Sequence, residues 1–376
     1  DFYSLKKEIH IICFDCPTPA DYGGAIDMYY RIKAFFELGY GIHLHYFSYN
    51  NRKPNDELKS ICQSIREYKR KKNRRSIAGK LPYIVASRID ETLIENLKND
   101  NHPVLIEGVH CSGIINQLSH KRKIVVRLHN DEAAYYKQLS AATGNLLKKI
   151  YFKKESVLLK KYQQKLPQHC MYACITENDK LVFQNQLGLK QVIHLPAFIP
   201  FQKISCNEGM GNYALYHGNL SVAENEKAVL WLVKEVFQKM NCKLIIAGKK
   251  PGAKLKRAIV NKKNIVLFEN PDEIMMNKLV ADAHINILPS ISTSGIKLKL
   301  LHALYCGRHC IVNENMIAGT GVDAACHIGK SANAMASIIV QLQHLPFHEE
   351  EIKLREKILL AKFNNLQNCR MLIPYL

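Results

Sequence analysis

Ile285-Asn286-Ile287-Leu288-Pro289, followed by Ser294-Gly295-Ile296-Lys297-Leu298-Lys299-Leu300-Leu301-His302, reads as a buried strand, a small-residue loop and a helix that opens with lysines. A short apolar run closed by Pro and small residues suits a strand covered on both faces, as in parallel sheets. The unpaired N–H groups and dipole at the start of the next helix attract an anion, and Lys297 and Lys299 add two cations. An ordinary strand–loop–helix connection with a solvated lysine pair accounts for the same residues. A second glycine loop, Tyr22-Gly23-Gly24-Ala25, follows the strand-like run Glu8–Phe14. Two such loops in two halves predict one anionic ligand held between two α/β domains.

Strand and helix signals alternate along the rest of the chain. Ala25–Leu38 has apolar residues near a 3.6 period, Gly39 stops it, and Tyr40–Phe47 follows as a strand. Val104–Ile106, Ile124–Leu128, Tyr172–Ile175 and Val192–Leu195 are further strands, and one long helix is expected from Ala133 to Lys165, with a break near Gly144. Pro196–Asn212 has two prolines, two glycines and little periodicity. The pattern then restarts with Tyr213–Tyr216, a helix over Glu224–Met240, and strands at Lys243–Ala247, Asn264–Phe268, Ile285–Leu288 and Gly307–Val312, with a helix at Asp272–Ala283. The expected organisation is a first α/β domain over 1–197, a linker over 198–212, a second α/β domain over 213–348, and a helical end over 349–376 that crosses back to the first domain. No G-x-G-x-x-G fingerprint is present, which argues against a dinucleotide oxidoreductase.

A chain of 376 residues suits two domains, and no apolar run approaches the roughly 20 residues of a membrane span. The first residues, Asp1 to Glu8, lack the pattern of a signal peptide, and a cytoplasmic setting is expected. Twelve cysteines are scattered, several within strands (Cys13, Cys174, Cys310), and read as reduced core residues; a Cys13–Cys16 redox pair is the minor alternative. The formal charge of +20 asks for an anionic partner. Lys69-Arg70-Lys71-Lys72-Asn73-Arg74-Arg75 is one basic run. Lys148, Lys149, Lys153, Lys154, Lys160, Lys161 and Lys165 lie along a helix whose apolar stripe is Leu147, Ile150, Leu158 and Tyr162. Such surfaces suit the inner face of an anionic membrane, with solvated charge as the bland alternative.

Four segments, in this order and spacing, resemble the GT-B glycosyltransferases, specifically the retaining family 4 within glycosyl transferases group 1. They are Pro17-Thr18-Pro19 with Tyr22-Gly23-Gly24-Ala25; Ile124-Val125-Val126-Arg127-Leu128-His129-Asn130-Asp131-Glu132; Tyr216-His217-Gly218-Asn219-Leu220; and Ser294 through Ala303 with Gly307. The resemblance covers most of the chain and implies two Rossmann-like parallel-sheet domains facing a central cleft. It also implies transfer of a hexose from a nucleotide sugar, with retention, to a glycan or lipid-linked saccharide. No metal or other cofactor is implied, and the chain has no Asp-x-Asp pair to hold one on a diphosphate. Lys297, Lys299 and the Gly295–Ile296 amides then meet the diphosphate, with Gly23, Gly24, Gly218, Asn219, Ser294 and His302 also around the donor. His129, at the carboxyl end of a strand, is the catalytic candidate, as a partner for a sugar hydroxyl or for developing charge. His110, Asn130 and Glu132 are acceptor-side candidates, and Glu177 suits either acceptor binding or a helix cap.

Two departures stand out. Ser294 and His302 occupy the places where the family commonly has a pair of glutamates, and Asn219 and Asn225 lie near its usual Arg and Lys phosphate pair. These keep open a catalytically silent nucleotide- or sugar-binding protein, and a GT-B sugar-nucleotide epimerase is the nearest enzymatic rival. Nucleic acid is disfavoured as a partner, because charge alone suggests it and no recognition signature accompanies the charge.

Overall fold

The computed structural model describes residues 7–48, 51–71, 80–291 and 297–376. The chain divides into two compact units, one of Asp1–Pro200 with Phe363–Leu376 and the other of Phe201–Lys362.

The first unit is built on seven parallel strands: β1 (Glu8–Cys13), β2 (Gly41–Ser48), β3 (Ser64–Lys69), β4 (Val104–Glu107), β5 (Ile124–Leu128), β6 (Met171–Cys174) and β7 (Val192–His194), in the order β3-β2-β1-β4-β5-β6-β7. Successive residues of a strand face opposite sides of the sheet. Thus Ile12, Ile106 and Val126 join one core layer, while Ile11, Leu105 and Val125 join the other. The helix Gly23–Glu37 covers one layer with Ala25, Met28, Ile32 and Phe35, and Gly39, at φ +83°, turns the chain into β2. The short helix Asn365–Arg370 packs on this same helix. Asn365 Oδ1 accepts the Ile199 N–H at 3.0 Å and its amide donates to the Ile199 carbonyl at 2.9 Å. The last segment therefore divides, with Glu349–Lys362 in the second unit and only Phe363–Leu376 in the first.

The second unit repeats the scheme with six parallel strands: β8 (Ala214–Asn219), β9 (Leu244–Lys249), β10 (Ile265–Glu269), β11 (Ile285–Leu288), β12 (His309–Val312) and β13 (His327–Ile328), in the order β10-β9-β8-β11-β12-β13. The strand order reverses direction beside β1 in the first sheet and beside β8 in the second. At such points the carboxyl ends of neighbouring strands splay apart and leave room for ligands.

The helical stretch expected from Ala133 to Lys165 breaks at Gly144, as read from the sequence. The long helix is two helices, Glu132–Ala142 and Leu146–Gln163, because Asn145 accepts the Lys148 N–H at 3.0 Å and caps a new start. On the second helix Glu155, Leu159 and Gln163 are buried, whereas Leu147 and Ile150 of the apolar stripe are 80% and 59% exposed. Among the described residues no helix is long and apolar enough to cross a membrane. All twelve cysteines are free thiols, and Cys13 and Cys16 are both buried without a bond between them.

Candidate active site

In the first unit the carboxyl ends of β1, β4 and β5 gather five buried ionisable groups. Asp27, on the helix Gly23–Glu37, accepts from Arg31 Nη1 at 2.7 Å and from Arg127 Nε and Nη2, both at 3.1 Å. The Phe198 N–H adds a fourth hydrogen bond at 2.8 Å. Arg31 also donates to Glu107 Oε1, through Nε at 3.0 Å and through Nη2, and the other Glu107 oxygen holds His129 Nε2 at 2.9 Å. Burial works against both carboxylates. Even so, Arg127 and Arg31 hold Asp27 below the usual carboxylate range, and Arg31 and His129 do the same for Glu107. Asp27, Glu107 and His129 lie close enough to hold a metal ion. Their two carboxylate charges are already matched by two guanidiniums, so the cluster reads as a closed ion network.

His129 thus ends β5 as expected, but its ring is 8% exposed and its Nε2 is committed to Glu107. A carboxylate that only accepts leaves the proton on Nε2 and turns Nδ1 toward Asp27, 3.9 Å away. His110 stacks on Phe14, with ring centroids 4.8 Å apart, and Phe14 meets His129 edge-on at 5.3 Å. Burial pushes the His110 imidazole well below its ordinary pKa, and its Nδ1 has no hydrogen-bond partner among the described residues. Gly23 and Gly24 open the helix after β1. A Cβ on Gly24 would stand 3.0 Å from the Phe14 ring and 3.1 Å from Tyr22, so the missing side chain makes room for these rings. Asn130 is half-buried beside this cluster. Glu132 is buried in the first turn of its helix, and burial raises its carboxyl to about 7 despite a hydrogen bond from Asn130. Glu177 lies 3.1 Å from His194 Nδ1, while Thr176 caps the helix by accepting the Asp179 N–H.

The second unit collects the donor-side candidates at the end of β8. Gly218, at φ +153°, lets the strand turn beside Lys299 and Asn225. Lys299, on the helix Leu298–Cys306, donates to Tyr216 Oη at 3.0 Å and Asn225 Oδ1 at 2.9 Å, and its Nζ lies 4.7 Å from the Tyr216 ring centroid. Burial lowers this ammonium to about 8. Asn225 Nδ2 donates to the Asn219 carbonyl at 2.9 Å, and Asn219 Oδ1 accepts from Ser221 Oγ at 2.7 Å. Lys297 is the residue before the helix, with Nζ 4.0 Å from Glu224. His302 stacks on Phe201 at 5.4 Å and meets His217 edge-on at 5.5 Å. Burial pushes His302 down to about 4 and His217 well below its ordinary range. Nε2 of each ring has no hydrogen-bond partner among the described residues. Ser294, Gly295 and Ile296 lie outside the described residues.

The structure thus brings Gly218, Asn219, Lys299 and His302 together at one strand end, and His110, His129, Gly24 and Glu132 at another. Asp27, Arg31, Glu107, Tyr216 and His217 complete these groups without having been singled out. Glu107 and Arg127 carried a signal, because a charge inside an apolar strand is costly unless a partner waits for it.

Residues 211–344 match the family model described as glycosyl transferases group 1. The fold is similar to sucrose-phosphate synthase from Thermosynechococcus elongatus (14% identity, TM-score 0.70, 98% of each chain) and to Anabaena HepE in complex with UDP and glucose (10%, 0.63, 97% of this chain and 98% of that one). It is likewise similar to a mutant of S. aureus TarM in complex with Fondaparinux, alpha-GlcNAc-glycerol and UDP (12%, 0.66, 98% and 99%). The two parallel-sheet units thus have the GT-B fold, and the match to glycosyl transferases group 1 lies in the second of them. Among curated sequences it is similar to an uncharacterized 44.6 kDa protein in the cps region of Klebsiella pneumoniae, 28% identical over 341 residues, which span 84% of this chain and 85% of that one.

Proposed function

We propose that this protein transfers a hexose from a nucleotide-sugar donor to a glycan or lipid-linked saccharide acceptor, with retention and without a metal on the diphosphate. The observation that carries this reading is Lys299. Its half-buried ammonium is hydrogen-bonded to two neutral oxygens, those of Tyr216 and Asn225. A partly desolvated cation held by neutral acceptors gains from an anion, and a diphosphate at the end of β8 supplies one. Lys297 extends the same anion site, and Gly218 and Asn219 border it. In this reading His129, ordered by Glu107, serves the transferred sugar, and Asn130, Glu132 and His110 serve the acceptor. Neighbours crystallised with UDP and sugars support this donor class, and the relative from a cps region supports polysaccharide biosynthesis as the setting. Attachment to an anionic membrane face is supported by exposed Leu146, Leu147 and Ile150 on a helix that also carries Lys148, Lys149, Lys153 and Lys154. Of the basic run Lys69–Arg75, residues 72–75 lie outside the described residues.

A thermal-shift screen against UDP, GDP, ADP, CMP and their sugar conjugates tests the reading. A ligand that binds only the native state raises its stability with the logarithm of concentration over Kd. The expected result is a shift with one nucleoside diphosphate and its sugar, lost in Lys299→Met. A silent binding protein is the second reading, favoured by His302 and Ser294, which offer no carboxylate to the donor. Tight nucleotide binding with neither donor hydrolysis nor transfer selects it; turnover that disappears in His129→Ala rejects it. A C2-epimerised sugar formed from nucleotide sugar alone selects an epimerase instead.

A further inference from the structure

The opposite, amino-terminal edge of the second sheet holds a separate cluster. His309 begins β12, His327 begins β13, and Glu351 lies in the first turn of the helix Glu349–Lys362. One ring nitrogen of each histidine and one Glu351 oxygen lie within 4.8 Å of one another. His309 is 3% exposed, and its Nε2 lies 3.0 Å from the Leu345 carbonyl. A carbonyl only accepts, so Nε2 carries the proton. In the neutral ring with its proton on Nε2, Nδ1 is a lone pair. That nitrogen has no hydrogen-bond partner among the described residues and faces Glu351 Oε1 at 3.4 Å. The carboxylate is held in this pose because Glu351 accepts the His348 N–H through its other oxygen, Oε2, at 2.8 Å. A buried lone pair turned toward an anionic oxygen is repulsive unless a cation stands between them.

We propose that His309 Nδ1, His327 and Glu351 Oε1 bind a divalent transition-metal ion, zinc by the chemistry of the donors, at a structural site apart from sugar transfer. Metal–ligand bonds of about 2.0–2.1 Å put neighbouring tetrahedral ligand atoms roughly 3.3–3.4 Å apart, and His309 Nδ1 to Glu351 Oε1 is 3.4 Å. Two imidazoles with one carboxylate select zinc over magnesium or calcium. The Leu345 carbonyl supplies the outer-shell contact that fixes a ligating histidine's tautomer. His327 and Glu351 line a pocket of about 70 Å³ together with Cys326 and Arg355, through which the ion and a water as fourth ligand would enter. The Arg355 guanidinium is the adverse charge there. It is turned onto the Leu304, Gly307 and Arg308 carbonyls, and Glu351 offsets it.

The test uses the full chain freed of metal by a chelator, then titrated with zinc in a calorimeter and with cobalt(II) in a spectrophotometer. Free thiols elsewhere also take zinc, so the difference between proteins is the readout. Wild type is expected to bind one equivalent more tightly than His327→Ala or Glu351→Gln, whose affinity for that equivalent falls by more than the roughly 10–100-fold typical of outer-shell losses. The cobalt bands of that equivalent should lack thiolate charge transfer. Glu351→Gln places an amide N–H opposite Nδ1, so it is expected to keep the fold while losing the zinc-induced rise in Tm. Equal zinc stoichiometry and affinity in wild type and both variants, or thiolate bands on the distinguishing equivalent, would overturn the proposal.

Discussion

Replacing Asp27 by Asn removes the charge that holds the first unit's buried ion network together. The carboxylate accepts four hydrogen bonds, three from Arg31 and Arg127 and one from the Phe198 N–H. In the wild type two carboxylates face two guanidiniums. In Asp27→Asn one guanidinium charge is left without compensation, and the new amide turns N–H groups toward donors. Breaking a buried pair by removing one partner costs about 3–5 kcal/mol. For a unit of this size each kcal/mol shifts the midpoint by about 2–4 °C, so the first unit's Tm should fall by roughly 6–20 °C. Calorimetry and urea unfolding at neutral pH measure this. Because Asp27 is held below its ordinary range, its contribution is present above the ordinary carboxylate pKa and lost as pH falls through the folded-state value. The gap between wild type and variant should therefore narrow in acid. Adding Arg127→Met should recover part of the loss. A single variant that loses less than about 1 kcal/mol, or a double variant that only adds a further full loss, would refute the account of one coupled network.

Glu132 has the opposite sign. Its carboxyl is raised to about 7 by burial, so its contribution is full below the ordinary carboxylate pKa and is lost as pH rises through 7. Glu132→Gln should raise stability at pH 8 by roughly 1–3 kcal/mol, with no gain at pH 4; equal effects at both pH values in denaturant titrations contradict this. Lys299, lowered to about 8, should take up a proton when a nucleoside diphosphate binds between pH 8 and 10. Calorimetry in two buffers of different ionisation heat reads that uptake, which Lys299→Met should abolish; affinity that does not weaken above pH 8 counts against the role. Changing Lys148, Lys149, Lys153 and Lys154 together to Glu should release the protein from anionic vesicles in flotation. Equal wild-type binding to neutral and anionic vesicles would reject the membrane reading.

The alternation of apolar runs with 3.6-period segments was enough to read two parallel-sheet units, because burial on both faces forces each strand to be apolar throughout. The loops at Gly23 and Gly218 and the lysines before and within the helix Leu298–Cys306 were legible for the same reason, since strand ends and helix starts are local events. Tertiary packing was less legible. Leu147 and Ile150 read as an apolar stripe on a basic helix, but which side is buried was set by packing, which turns Glu155 and Leu159 inward, with Glu155 accepting the Tyr83 N–H at 2.9 Å. The strand Ser64–Lys69 passed unnoticed because it lies at the sheet edge, where only Tyr68 is buried.

What the sequence alone determined, then, is the repeated α/β scheme and the places where strands end in polar loops, since these follow from side-chain periodicity along one segment. Which charges meet was decided only in three dimensions. Asp27 and Arg127 are a hundred residues apart, and Lys299 finds Tyr216 across eighty-three. His309 is set against Glu351 by strand order and helix packing. A buried charge or lone pair takes its meaning from its partner, and the parallel crossovers of this fold bring partners together from distant stretches of chain.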